Sequence, residues 1–460
     1  MKLLFKGHDA RYAVEQSLLA FFPQERPVYD PAAREENQAT VTLSQGKKYI
    51  TAVTTLCYNG CTKRGISRVL SDPSADAYAA ERLRQRAVKL SFFKAARQVD
   101  RLLRDTYCVS QTRRELCIEA AQAGLKAKAE LHPQDISLYI GIPFCPTRCA
   151  YCSFVSQAVE KSFGLMEPYL EVLLGEITQA AQMVEDLGLH IKSFYMGGGT
   201  PTTLSAGQMD RLLTHLNRSF DLSHCAEYCI EAGRPDTIDR EKLQVLLDHG
   251  CDRISVNPQS LEDSVLQAIG RRHTAADIEQ TMGLATSMGF KHVNMDLIAG
   301  LPADTPEGFR RTLDKCLSFG ADNITVHTLA LKKGSRILLE GQKIPSAEAV
   351  GQMLDYSVSA LRGADFHPYY LYRQKYMSGS FENIGWCISG AEGLYNIYIM
   401  EELHSILSLG AGGSTKMVDP AAGRIERVFH AKYPNEYITR PEKIQKNLED
   451  FADFYRRMKK

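Results

Sequence analysis

The chain has 460 residues and a net charge of +1, so it has room for two or three domains and no charge excess to draw it to nucleic acid or an acidic surface. Hydrophobic residues make up 44% and charged residues 24%, which excludes disordered and fibrous classes and leaves a globular protein with a sizeable core. No apolar run approaches the roughly 18 residues of a membrane span, and a start carrying Lys2, Lys6, His8 and Asp9 is too polar for a signal peptide, so a cytoplasmic location is expected.

In chain order, residues 2–5 read as a short strand and 10–22 as a helix. Residues 41–43 and 49–53 alternate around Gly46 as a hairpin would. Residues 75–105 and 112–129 carry helical periodicity. Residues 1–132 are thus expected to form an N-terminal α+β module.

His132 and Pro133 break that pattern, and strands and helices then alternate. The expected strands are 137–142, 191–197, 226–232, 252–257, 291–297 and 322–329. Helices fit between them at 166–187, 205–218, 239–249, 274–288 and 305–319. Such alternation means βα units and a parallel sheet. The fold class is therefore α/β, a partial (β/α)6 barrel over residues 133–335, with its chemistry expected at the C-terminal strand ends. Residues 336–460 lose the rhythm. They hold Tyr369, Tyr370, Tyr372 and Tyr376, a Gly-rich L-G-A-G-G-S stretch and a charged helix near 441–459, and read as a mixed C-terminal substrate or lid domain.

Twelve cysteines in a chain this long do not make a secreted disulfide framework. Three of them, Cys145, Cys149 and Cys152, form C-x3-C-x2-C in Y-I-G-I-P-F-C-P-T-R-C-A-Y-C-S-F, directly after the first barrel strand. Three thiolates this close can wrap one face of a [4Fe-4S] cluster and leave one iron open. An open iron can chelate the amino and carboxylate groups of S-adenosylmethionine (SAM), whose sulfonium an injected electron would cleave to a 5′-deoxyadenosyl radical. A structural zinc site is the competing reading, but it normally needs four ligands and no clear fourth lies nearby. Aromatic Tyr151 before the third cysteine and the strand placement both favour the cluster.

The other strand ends carry suggestive residues. M-G-G-G-T-P, with Gly198, Gly199 and Thr200, ends the second strand, where glycines admit a ligand to the backbone and free N–H groups bind an anion. Glu231 ends the third strand, Gln259 follows the fourth, Arg271 lies in G-R-R-H, Asp296 ends the fifth and Ala330 follows the sixth. Singly each is an ordinary capping or solvated residue; together they mark one rim. Lys332, Lys333 and Arg272 are basic residues near that mouth, His273 and His327 read as structural histidines, and the pairs Cys57/Cys61 and Cys225/Cys229 as ordinary thiols.

On these motifs the chain resembles the radical SAM superfamily, and over residues 136–335 the oxygen-independent coproporphyrinogen III oxidases and their relatives. The resemblance implies that Tyr139, the glycine motif and Glu231 hold the cluster-bound SAM. It also implies that Gln259, Arg271, Asp296 and Ala330 line the cavity beside it, where some relatives bind a second SAM. A tetrapyrrole substrate and a reducing donor such as flavodoxin or ferredoxin are the implied partners, with no nucleic acid and no membrane span.

Three activities remain open on this scaffold: oxidative decarboxylation of coproporphyrinogen III, haem trafficking, and a methyltransferase or other tetrapyrrole modification. The haem chaperones carry H-N-x-x-Y-W, whereas this chain reads L-Y-N-I-Y-I-M, with Tyr395 for the histidine and Ile399 for the tryptophan. The run Y-Y-L-Y-R-Q-K-Y-M-S-G-S-F-E-N-I-G-W at 369–386 resembles HemZ-type coproporphyrinogen dehydrogenases instead. A departure is that those proteins carry a W-G-I-L-T-G-x-R-P-like segment before the barrel, and residues 90–112 here have no Trp or Pro.

Overall fold

The computed structural model describes residues 109–152, 162–332, 334–374, 376–420 and 422–458, with short pieces at 100, 103–105, 157–158, 3–4, 28–29, 38–39 and 41–42. Leu3–Leu4 pairs antiparallel with Gln38–Ala39, and Val28–Tyr29 with Val41–Thr42. The expected helix at 10–22, the hairpin partner at 49–53, most of 75–105, Cys57, Cys61, Cys108 and Lys333 lie outside the described residues.

Six parallel strands follow one another in both chain and sheet: Asp135–Ile142, His190–Gly198, Glu227–Gly233, Arg253–Val256, His292–Ala299 and Asn323–Thr328. Helices Met166–Leu187, Ala206–Ser219, Arg240–Asp248, Ala275–Met288 and Pro306–Ser318 return the chain between them. Each boundary falls within about two residues of the sequence expectation because the punctuation is local. Ser205 and Gln208 form a capping box, as do Thr274 and Asp277. Thr305 caps a helix with Pro306 at its first position. Strand residues Ile136, Leu138 and Ile140 pack into the core with the helices, while Tyr139, on the other face, lines the barrel cavity.

The result is a partial (β/α)6 barrel within a larger mixed sheet. Beyond the sixth strand the sheet continues antiparallel through Asn383–Cys387 and His367–Tyr372. Beyond the first strand it gains Ile406–Leu409, parallel, then Ser414–Asp419 and Arg424–Phe429, antiparallel. Segments after residue 336 therefore flank the barrel on both edges.

The Gly-rich stretch owes its composition to the join with the first strand. A Cβ on Gly410 would sit 2.6 Å from the Gly141 carbonyl oxygen, so two backbones meet where only glycine fits. Buried Glu176 holds this turn. It accepts from the Gly410 amide at 2.8 Å and from the Tyr437 hydroxyl, and burial pushes its carboxyl up. The C-terminal helix Pro441–Met458 buries Phe451 and Phe454 in the same core as the barrel strands.

Candidate functional site

The three motif cysteines lie on the loop leaving the first strand. Phe144–Cys145 pairs parallel with Gln157–Ala158. The loop turns where the Cys152 amide donates to the Cys149 carbonyl at 3.1 Å, and it is tied down by the Ala150 amide on the Ile269 carbonyl at 2.9 Å. Cys149 is buried, and Cys145 and Cys152 are half-buried. Thr200 Oγ1 donates to Cys145 Sγ at 3.5 Å. Arg271 stands beside Cys149 and Tyr151, donating from Nη2 to the Tyr151 hydroxyl at 3.1 Å and from Nη1 to the Asn257 carbonyl at 2.8 Å. Its buried Nε has no protein hydrogen-bond partner. Soft donors, a cation beside them and an orphaned donor fit an anionic iron–sulfur cluster ligated by these cysteines.

The glycine motif lies directly against this loop. A Cβ on Gly199 would come within 2.5 Å of the Phe144 carbonyl oxygen and 2.8 Å of that of Ile142, so the motif and the cysteine loop are in backbone contact. The Gly199 and Thr200 amides donate to those two carbonyls. The turn leaves Gly198, Gly199 and Thr200 on the cavity wall.

Glu231 lies across from it. Tyr195 donates to Glu231 Oε1 at 2.5 Å, and the Gly198 amide also bonds the carboxylate. Burial nevertheless pushes its pKa up to about 7, with Asp296 adding to the push. A buried carboxylate poised in this way would be recharged by an incoming ammonium. Asp296 goes the other way. Burial raises its carboxyl, but His327, Asn294 and Thr325 outweigh that and leave it lowered. Asn294 donates to Asp296 Oδ1 at 2.8 Å, and His327 Nε2 lies 3.8 Å from it. Gln259 is held at φ 67°, a left-handed conformation rare for a residue with a Cβ, by its amide on the Asp296 carbonyl at 2.9 Å and its own carbonyl under Ile298.

All the cluster and cofactor residues singled out from sequence line one cavity of about 570 Å³: Cys145, Cys149, Cys152, Tyr139, Tyr151, Gly198, Gly199, Thr200, Glu231, Gln259, Arg271, Asp296 and Ala330. Lys332 joins them, whereas Arg272 is exposed and lies off the cavity wall. His327 belongs to the wall rather than to the core, with Nδ1 3.3 Å from the Tyr372 hydroxyl. His273 is buried away from it. Cys225 donates to the Glu227 carbonyl at 3.1 Å, an ordinary thiol contact, and Cys229 reaches the cavity.

Sequence reasoning missed the tyrosine wall. Tyr195 stacks on Tyr395 with centroids 4.4 Å apart, and both stack more loosely on Tyr139. Tyr395 arrives on a short helix, Leu394–Met400. Its start is fixed by Glu227, which accepts from the Leu394 amide at 2.8 Å and the Tyr395 amide at 2.9 Å and pairs with Arg253 at 3.1 Å. The available signal was Tyr395 itself, which stands in the sequence where the chaperones carry histidine.

Comparison with known proteins fits this geometry. The family model of the radical SAM superfamily matches residues 139–316. The oxygen-independent coproporphyrinogen-III oxidase-like protein HemZ of Bacillus subtilis is 37% identical over 357 residues, covering 76% of this chain and 71% of that protein. The heme chaperone HemW of the same organism is 28% identical, covering 68% and 82%. Among solved structures, the coproporphyrinogen III oxidase HemN of Escherichia coli superposes with a TM-score of 0.56 at 23% identity, over 70% of this chain and 72% of that one. That likeness shows a shared fold.

Proposed function

The chain belongs to the radical SAM superfamily, in the family of oxygen-independent coproporphyrinogen III oxidases and their HemZ-type relatives, and on that premise we propose that it oxidatively decarboxylates coproporphyrinogen III to protoporphyrinogen IX. The observation that carries the reading is the convergence of the three cysteines, the glycine motif and Glu231 on one cavity large enough to admit further molecules. When bound, the cluster and SAM would supply a 5′-deoxyadenosyl radical that takes a hydrogen atom from a propionate β-carbon. Each propionate then loses CO2 and one electron, the electron passing to a one-electron acceptor, and a vinyl group remains.

The chain's own residues bind, orient and shield. Cys145, Cys149 and Cys152 ligate the cluster, with Arg271 beside Cys149 balancing its charge. Glu231 would take the SAM ammonium, and the 198–200 turn, its amides already spent on Glu231, Ile142 and Phe144, lines the wall beside it. Tyr139, Tyr195 and Tyr395 give an apolar wall that excludes water from a reactive radical. Asp296 and Gln259 stand on the adjoining wall, and Lys332 offers a cation to a propionate at the mouth.

The test is anaerobic incubation of the reconstituted protein with SAM, a strong reductant, an electron acceptor and coproporphyrinogen III. Divinyl product by mass spectrometry, with 5′-deoxyadenosine formed alongside, is the expected result. SAM cleavage without any vinyl product would sink the decarboxylase reading and keep the radical class. A methylated product would move the assignment to a methyltransferase, and stoichiometric haem binding without SAM turnover to a trafficking protein.

A further inference from the structure

At the far edge of the sheet, outside the cavity described above, three side chains of different donor chemistry meet. His367 and Cys387 are cross-strand partners on the two antiparallel strands beyond the barrel, and Glu392 stands on the turn just after the second of them. One donor atom from each lies within 4.8 Å of the other two. Cys387 Sγ is 3.5 Å from His367 Nε2, and Glu392 Oε1 is 3.3 Å from the same nitrogen.

The shared nitrogen decides what the cluster can do. A nucleophile–base–orienter relay needs the carboxylate on Nδ1, so that the thiol and the carboxylate use opposite sides of the ring. Here both face Nε2. That nitrogen offers one hydrogen-bonding site, a proton or a lone pair, and cannot serve both neighbours fully. A cation seated among the three satisfies a thiolate, an imidazole lone pair and a carboxylate at once. We propose that His367 Nε2, Cys387 Sγ and Glu392 Oε1 form a site for one borderline-soft divalent cation of the zinc class, with water as fourth ligand.

The scaffold around the donors is rigid. The strand pair fixes His367 against Cys387. The Ala391 carbonyl, next to Glu392, accepts from Arg253 Nη2 at 3.0 Å and from Asn323 Nδ2 at 2.7 Å. A cavity of about 210 Å³ opens at Glu392. Binding displaces the Cys387 thiol proton into solvent. Lys126 and Arg253 stand nearby and oppose a cation, while Asp322 offsets them. The occupied site would clip the turn that launches the helix carrying Tyr395.

The test uses the full chain with its iron–sulfur cluster reconstituted, incubated with zinc sulfate, desalted, and analysed for zinc and iron by mass spectrometry. Cys387→Ser, His367→Gln and Glu392→Gln are treated alongside. Wild type should retain about one zinc beyond the cluster iron. Cys387→Ser, His367→Gln and Glu392→Gln should each lose it on desalting, all with unchanged iron. Equal zinc in wild type and the variants, or none in wild type, overturns the site. If Cys387→Ser fails to fold, the half-buried Glu392→Gln and His367→Gln decide on the same readout.

Discussion

Tyr195 and Glu231, on adjacent parallel strands, share a 2.5 Å hydrogen bond in which the phenol donates to the carboxylate. The bond favours the ionised acid, yet burial prevails and Glu231 titrates near 7. Between its ordinary value of 4.5 and about 7 the folded, ligand-free protein therefore binds more protons here than the unfolded chain does. Stability from this group is full below 4.5 and is lost as pH rises through 7. The loss is at most roughly 3 kcal/mol. Urea midpoints of wild type should fall from pH 5 to pH 8, and those of Glu231→Gln should fall less. A parallel fall in both proteins would show that Glu231 keeps its ordinary pKa.

The same carboxylate carries the SAM assignment. Replacing a charge-assisted hydrogen bond with a neutral one costs about 1.5–3 kcal/mol, so Glu231→Gln should weaken SAM binding by roughly ten- to a hundredfold. The three cysteines are untouched, so cluster absorption should persist. Calorimetric titration of SAM into the reconstituted protein measures the first, and visible absorption the second. Unchanged SAM affinity would remove Glu231 from the cofactor site.

Gly199 is where the cofactor motif and the cysteine loop touch. The atoms a new Cβ would meet are the Phe144 and Ile142 carbonyl oxygens, at 2.5 and 2.8 Å, and backbone cannot swing aside as a side-chain tip can. Gly199→Ala should therefore push the cysteine loop outward, at a cost of about 1–3 kcal/mol. Cluster content after reconstitution should drop with it. Thermal unfolding and the iron-to-protein ratio report on the two effects.

Cys149 is the buried member of the motif and the one beside Arg271. Cys149→Ala removes one of the three proposed ligands and should abolish the broad visible absorption of a four-iron cluster. A fully retained cluster signal would refute the ligand assignment.

What sequence could read here divides along physical lines. The six barrel strands and their helices are legible because each carries its own period, cap and breaker, as at Ser205, Thr274 and Thr305. The cysteine loop and glycine turn are legible because each is a short run whose members stay close together in any fold. Ile406–Leu409 is not, since its partner is Asp135–Ile142, more than 260 residues away, and no local pattern announces a parallel partner at that distance. The tyrosine wall is hidden for the same reason: Tyr195 meets Tyr395 only once the sheet has formed. His327 read as a structural residue because a lone histidine has no pattern, and only the fold puts it near Asp296.

The last prediction concerns how Tyr395 is held. Glu227 and Arg253 form a buried pair, and Glu227 also accepts both amides at the start of the 394–400 helix. Arg253 spends its other nitrogens on the Ala391 carbonyl and on Asn323. Glu227→Ala strands a buried guanidinium and two amides together and should cost about 3–5 kcal/mol. Replacing both partners by methionine leaves no buried charge, so the double variant should be more stable than Glu227→Ala, though the amides still lack their acceptor. Because the amides belong to the helix that delivers Tyr395, both variants should also loosen SAM binding while the cysteine ligands stay intact. Urea denaturation of the two variants, with SAM titration of each, separates the electrostatic part from the positioning part. A double variant no more stable than Glu227→Ala would mean that the amide contacts, and not the ion pair, hold this turn.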